Sequence, residues 1–154
     1  MIRVLFVCLG NICRSPMAEA VFRQKVKAAG LDDRILADSA GTGGWHIGQP
    51  PHHGTRSILA ERGVDAAGLV GRQIERADLD EFDYILTMDE SNLSGVRSLG
   101  PARGTVRPLL EYGPPSGYTE VPDPFYTGGF EGVYALIDAA CDGLLAAIRA
   151  EHGL

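Results

Sequence analysis

The chain has 154 residues, enough for one domain that buries a single core without cross-links. Hydrophobic residues make up 45% and charged residues 22%, an ordinary balance for a globular chain. The formal charge of -6 argues against a nucleic-acid partner, which requires a basic stripe, but leaves room for an anionic substrate at a locally positive site.

In chain order, residues 4–9 form a continuous apolar run bounded by Gly10 and Asn11, the pattern of a strand buried on both faces. The run is too short to span a membrane and lacks the features of an export signal. Ser15-Pro16 reads as an N-cap followed by a proline at the first helical position. That helix is expected to reach Gly30, with Ala18, Phe22, Val26 and Ala29 on one stripe. Residues 35–40 are a second strand, followed by a glycine-rich loop that carries Trp45 and His46. Residues 55–62 are a helix ended by Gly63, residues 84–88 a third strand, and residues 89–99 a helix opened by an acidic cap. Residues 106–110 are a weaker fourth strand interrupted by Pro108. Residues 112–124, rich in Pro, Gly and Ser, form a surface loop. Residues 130–151 are a long helix with Val133, Ile137, Ala140, Leu144 and Ile148 on its buried face. Strands alternate with helices without repeat or linker, which implies a single α/β domain over residues 1–154 with a parallel sheet covered on both faces. Ligands of such sheets bind beyond the strand C-termini, where the turn at residues 8–15 lies.

Cys8 followed six positions on by Arg14 is a common spacing by itself, and its plainest reading is a buried cysteine beside a surface arginine. Its place between a buried strand and a helix start changes that reading. Gly10 and Asn11 both tolerate positive φ, so the loop can turn successive N–H groups inward as an anion nest. The helix N-terminus adds to that field, and Arg14 supplies a planar fork for two phosphate oxygens. A field that attracts phosphate also stabilises a thiolate, so Cys8 suits nucleophilic displacement at phosphorus. Ser15 can donate to that thiolate, cap the helix, or do both. Leaving-group departure needs a proton donor. Asp123, held between Pro122 and Pro124 at the end of the surface loop, is the better candidate, although Asp-Pro is also a frequent turn dipeptide. Asp89 follows the third strand and can cap the next helix or pair with Arg14. An aspartate paired with arginine is a poor proton donor, so Asp89 is assigned to positioning Arg14 and Asp123 to proton transfer.

Residues 4–19, 38–42 with Trp45, 83–89 and 123–124 together resemble the low-molecular-weight protein tyrosine phosphatase family. The resemblance covers most of the chain in the family's order. It implies a flavodoxin-like three-layer α/β/α sandwich with a four-stranded parallel sheet, and hydrolysis of phosphotyrosine in proteins or of small aryl phosphates; the odd set of three cysteines, Cys8, Cys13 and Cys141, unlike a secreted disulfide framework, separately points to the cytoplasm. The resemblance implies Cys8 as nucleophile, Arg14 as phosphate clamp and Asp123 as general acid and then base, with no cofactor or metal. Leu9, Gly10, Asn11, Ile12, Cys13 and Ser15 would complete the phosphate loop, with Asn11 and Ser15 organising it. Trp45 and Tyr126 would be walls for an aromatic substrate. Cys13 is similar to the family's redox partner of the nucleophile, although a small packing residue is an equal reading of it. One departure stands out: many relatives place a histidine where Leu69-Val70-Gly71 stands, and His46 or His52 are the substitutes the chain offers.

Other readings fit less well. A thioredoxin-coupled arsenate reductase needs further cysteines, and Cys141 stands alone in the last helix. A protein-arginine phosphatase is closer, but relatives of that type tend to have threonine where this chain has Ile12. A metal site of Cys8, Cys13, His46, His52 and His53 lacks the close cysteine pairs of structural zinc. A non-catalytic phosphopeptide-binding module needs neither Cys8 nor Asp123, and a cysteine protease has no use for a phosphate nest.

Overall fold

The first strand, β1 (Ile2–Cys8), organises the molecule because its residues 4–8 are apolar and all buried. A computed structural model, which describes residues 1–154, places it between β2 (Ile35–Gly41) and β3 (Tyr84–Thr87), with β4 (Thr105–Pro108) at the edge. All three pairings are parallel, with Cys8 level with Gly41 and Val7 level with Thr87. The order β2-β1-β3-β4 is that of a flavodoxin-like sheet.

Side chains alternate across a strand, and along β1 this alternation sets the layers. Val4, Phe6 and Cys8 face the larger core, shared with α1 (Arg14–Ala28), α2 (His53–Glu61) and α6 (Phe130–His152). Leu5 and Val7 face a smaller core with Leu79 of α3 (Asp78–Glu81) and Val96 of α4 (Glu90–Arg97). The expected stripes are buried at Ala18, Phe22 and Val26 of α1 and at Val133, Ile137, Ala140, Leu144 and Ile148 of α6, with Cys141 beside them, whereas Ala29 is only half-buried because α1 ends at Ala28 and leaves it as the C-cap. Phe22 meets Phe6 edge to face, ring centroids 5.5 Å apart at 66°. Gly30, at φ 71°, turns the chain out of α1 while its amide donates to the Lys27 carbonyl.

Several boundaries differ from the sequence expectation. α1 begins at Arg14, with Cys13 as its N-cap and no side-chain cap, so Ser15 is already inside the first turn. It does not cap the helix, because its hydroxyl is turned into the interior toward Cys8 and Asn11. Pro108 does not interrupt the fourth strand but ends it. Leu109–Tyr112 then form a 3-10 turn, although strand was expected as far as residue 110. On an edge strand the missing N–H of proline is tolerated. The short helices α3 and α5 (Pro124–Thr127) were not foreseen, because four residues are too few to show a helical period. No helix is long and apolar enough to cross a membrane.

β1 feeds α1 and then β2 on one side, whereas β3 pairs on its other side. The connections after β1 and β3 therefore leave in opposite directions and open a crevice at their C-terminal ends. Residues 9–14 lie on one side of it and Asp89 on the other. The Phe6–Phe22 pair gives a test of the core: Phe22→Ala is expected to lower the unfolding free energy by roughly 3–5 kcal/mol, read from the shift in the urea midpoint at unchanged slope.

Candidate active site

The loop after β1 is held from outside by its carbonyls. Those of Cys8 and Leu9 each accept an amide at 2.9 Å, from Thr42 and Gly43 respectively, and that of Ile12 accepts the His52 amide at 2.7 Å. The Cys13 carbonyl accepts the Thr55 hydroxyl at 3.0 Å. With these carbonyls tied outward, no amide of residues 9–15 donates to another backbone carbonyl. Seven consecutive N–H groups at the head of a helix are an anion nest. Asn11 makes the turn: its φ of 57° is the only positive value outside glycine. Gly10, also expected to supply such a turn, does so without positive φ. Its place lies instead against His46, whose Cδ2 would stand 3.0 Å from an added Cβ.

Asn11 is locked by its own side chain. Its Oδ1 accepts the Arg72 amide at 2.9 Å, and its Nδ2 donates to Ser15 Oγ at 2.8 Å and Ser39 Oγ at 3.0 Å. Because the Arg72 amide can only donate, the orientation of the Asn11 carboxamide is fixed. Ser15 Oγ lies 3.0 Å from Cys8 Sγ. The Arg72 backbone amide thus orients Asn11, and through it the contact with Ser15. Neither histidine substitute takes the role: His46 bonds Gln49, and His52 accepts the Gly54 amide as the N-cap of α2.

Arg14 is 2% exposed, and its bonds sort its nitrogens. Nη1 donates to Asp89 Oδ2 at 2.7 Å and to the Val121 carbonyl at 2.9 Å. Nη2 reaches Asp123 Oδ2 only at 3.5 Å, and Nε has no partner in the chain. The Nε–Nη2 edge is the one that offers two parallel N–H groups to an oxyanion. Asp89 caps α4 through Oδ1 and pairs with Arg14 through Oδ2, so both roles weighed for it hold at once. Asp123 caps the short α5 through Oδ1, and its other oxygen stays at the hydrogen-bond limit from Arg14.

A cavity of about 370 Å³ opens above the loop and holds Cys8, Arg14 and Asp123 together. Leu9, Gly10, Ile12 and Cys13 line its base, and the expected walls Trp45 and Tyr126 stand at its mouth, 68% and 76% exposed. Phe125 and His46 also line it, as the sequence reading had not foreseen. Phe125 lies next to Tyr126, and His46, weighed above for other roles, next to Trp45. Burial, and then the charges of Cys8 and Asp123, push the Cys13 thiol from 9.0 up to about 12, so Cys13 carries its proton beside the candidate nucleophile. The cysteines and histidines weighed as a metal site do not come together as a ligand group.

A nest of amides, a buried arginine fork, a thiol and a carboxyl at the switch point of a flavodoxin-like sheet define a phosphate-handling α/β protein. Comparison with known proteins narrows the class. Residues 3–153 match the model of the low molecular weight phosphotyrosine protein phosphatase family, and the chain belongs to that family. It is 53% identical to the low molecular weight protein-tyrosine-phosphatase YfkJ of Bacillus subtilis, over the whole of both chains. It is 47% identical to PtpA of Staphylococcus saprophyticus, covering 94% of this chain and 92% of that one. The crystal structure of YfkJ superposes with a TM-score of 0.96 over 99% of this chain and 97% of that chain. That of a Drosophila arginine phosphatase, 32% identical, superposes with 0.86 over 95% and 97%.

Gly41 tests the geometry of the loop directly. A Cβ there would stand 2.8 Å from the Leu9 carbonyl and 3.0 Å from the Asn11 amide, both backbone atoms that cannot swing aside. Gly41→Ala is expected to weaken inhibition by inorganic phosphate roughly tenfold or more, while circular dichroism shows the fold retained.

Proposed function

We propose that this protein hydrolyses aryl phosphate monoesters, phosphotyrosine in proteins above all, through a phosphocysteine on Cys8. Arg14 carries the reading most strongly: it is a buried residue lining the cavity, with Nη1 committed to Asp89 and Nε left without a partner in the chain. The amides of residues 9–15 (Leu9, Gly10, Asn11, Ile12, Cys13, Arg14 and Ser15) and the Nε–Nη2 edge hold the phosphate oxygens. The Cys8 thiolate attacks phosphorus, so that a P–S bond forms as the P–O bond to the leaving group breaks. Asp123 gives its proton to the departing phenoxide. It then takes a proton from the water that attacks the phosphocysteine, and the P–S bond breaks to return the Cys8 thiolate and release phosphate. The Ser15 hydroxyl, 3.0 Å from Cys8 Sγ, stabilises the thiolate at both ends of the cycle.

The walls support an aryl substrate. Trp45, Phe125 and Tyr126 stand around the mouth and suit a phenyl ring, and Ile12 adds apolar bulk at the base. A phosphoguanidine would have to bring its polar N–H groups into this apolar mouth, which disfavours the arginine phosphatase reading despite the related fold. The reading extends to the cytoplasm, where the thiol of Cys8 stays reduced. Within it, a reversible Cys8–Cys13 disulfide would shield the nucleophile during oxidation.

Cys8→Ser is expected to abolish turnover while phosphate still binds, and residual turnover near the starting rate would overturn the nucleophile. Asp123→Asn is expected to slow hydrolysis by roughly a hundredfold or more for phenyl phosphate, and much less for para-nitrophenyl phosphate, whose leaving group needs no proton. Equal losses would assign Asp123 another role. Rates on phosphotyrosine, phosphoserine and phosphoarginine peptides decide the substrate class, with phosphotyrosine expected first.

A further inference from the structure

His52 is the N-cap of α2 and touches both the loop and the wall of the cavity. Its amide donates to the Ile12 carbonyl at 2.7 Å, and its ring Nδ1 accepts the Gly54 amide at 3.0 Å. A backbone amide can only donate, so Nδ1 carries a lone pair and the ring is neutral, with its proton on Nε2. The ring is packed among three others. It lies nearly parallel to Phe130, centroids 5.2 Å apart at 19°, and to His53 at 4.4 Å and 29°. It also meets Phe125 edge to face, at 5.8 Å and 70°. Phe125 lines the cavity, yet its other ring neighbours hold it less firmly: Tyr126 is itself largely exposed, and His46 stands further off at 6.3 Å. His52 is the anchored neighbour of that wall.

A proton on His52 removes the anchor. An imidazolium has donors on both nitrogens, so its Nδ1–H would face the Gly54 N–H and the cap would break. The new charge would also sit at the positive end of α2, whose first turn has no acidic residue. The titratable and charged groups facing the ring are His53 and Arg56 of α2. Phe125 of α5 and Phe130 of α6 bring none, and Glu131 after Phe130 pairs with Arg62. Burial, then His53 and then Arg56, hold the proton affinity of His52 below the ordinary histidine value. The neutral, capped form is therefore complete above that ordinary value and is lost as pH falls through the depressed one.

We propose that His52 is a positioning residue for the aryl group of the substrate: neutral, it clasps Phe125 against the cavity, and protonated, it leaves its cap and releases that wall. This rests on the aryl phosphate reading above. The phosphate end of the site is kept in acid, because the carbonyls of Cys8, Leu9 and Cys13 are tied separately, to Thr42, Gly43 and Thr55. The site then loses its grip on the ring at low pH while it keeps its grip on phosphate.

Two unreactive inhibitors separate these grips: benzylphosphonate, which carries a ring, and inorganic phosphate, which does not. Their inhibition constants are compared from about pH 7.5 to about pH 5, across the histidine range. In the unmodified protein benzylphosphonate is expected to weaken roughly threefold more than phosphate, the size of one edge-to-face aromatic contact. His52→Asn keeps a good N-cap that does not titrate and has no ring. Its ratio of the two constants is expected to stay at the acid value of the unmodified protein at every pH. Phe125→Ala, which removes the wall itself, is expected to flatten the ratio in the same way. A ratio that does not change with pH in the unmodified protein would overturn the proposal. So would a pH dependence that survives in His52→Asn, or in Phe125→Ala if the first variant does not fold, because the titrating group would then lie elsewhere, as at His46. If Phe125→Ala leaves benzylphosphonate binding unaltered at neutral pH, the aryl wall itself fails, and with it the reading on which the proposal rests.

Discussion

A thiolate and a phosphate dianion repel each other, and the proposed function asks the loop of residues 8–15 to hold both within bonding distance. It does so with donors fixed before the ligand arrives. The backbone amides of residues 9–15 are left without backbone acceptors, while the carbonyls of Cys8, Leu9, Ile12 and Cys13 are bound by other segments. The Arg14 guanidinium is buried with them, and its charge is balanced by Asp89 at 2.7 Å. Pre-oriented donors in a site shielded from water are worth far more than the same donors on a surface, because nothing has to reorganise when charge moves.

The rest of the fold serves that arrangement. β1 must be apolar on both faces to lie at the centre of the sheet, and its central place brings Cys8 to the switch point. Gly41 at the end of β2 lets the loop pass close by, and residues 72–74 pair alongside Gly41, so that the Arg72 amide reaches Asn11. Arg72 is itself anchored by ion pairs to Asp38 and Asp78. The positive φ of Asn11, a strained choice for a residue with a side chain, persists because three hydrogen bonds overdetermine it.

Much of this was legible in the sequence, for identifiable reasons. The buried strand, the long amphipathic helices and the loop with Cys8, Arg14 and Asp123 carry strong local patterns. Asp89 was legible in both of its roles because a strand end followed by a helix start admits few others. What escaped was set by tertiary contact. The start of α1 at Arg14 was hidden because Ser15-Pro16 is a good capping pair, yet the Ser15 hydroxyl gains more by bonding Asn11 beside Cys8. Asn11 is oriented by the backbone amide of Arg72, a contact that leaves no mark in a sequence. His52 reads as one of two adjacent histidines, and only the fold shows its ring capping α2 beside Phe125.

The central claim is that phosphorus is bonded to Cys8 during turnover. The most direct measurement is rapid denaturing quench of the protein mixed with an aryl phosphate, followed by mapping of the phosphorylated peptide. A phosphoryl group on Cys8, appearing with the first burst of released phenol, is the expected result. A phosphoryl group on another side chain, or steady turnover with none at any quench time, would contradict it.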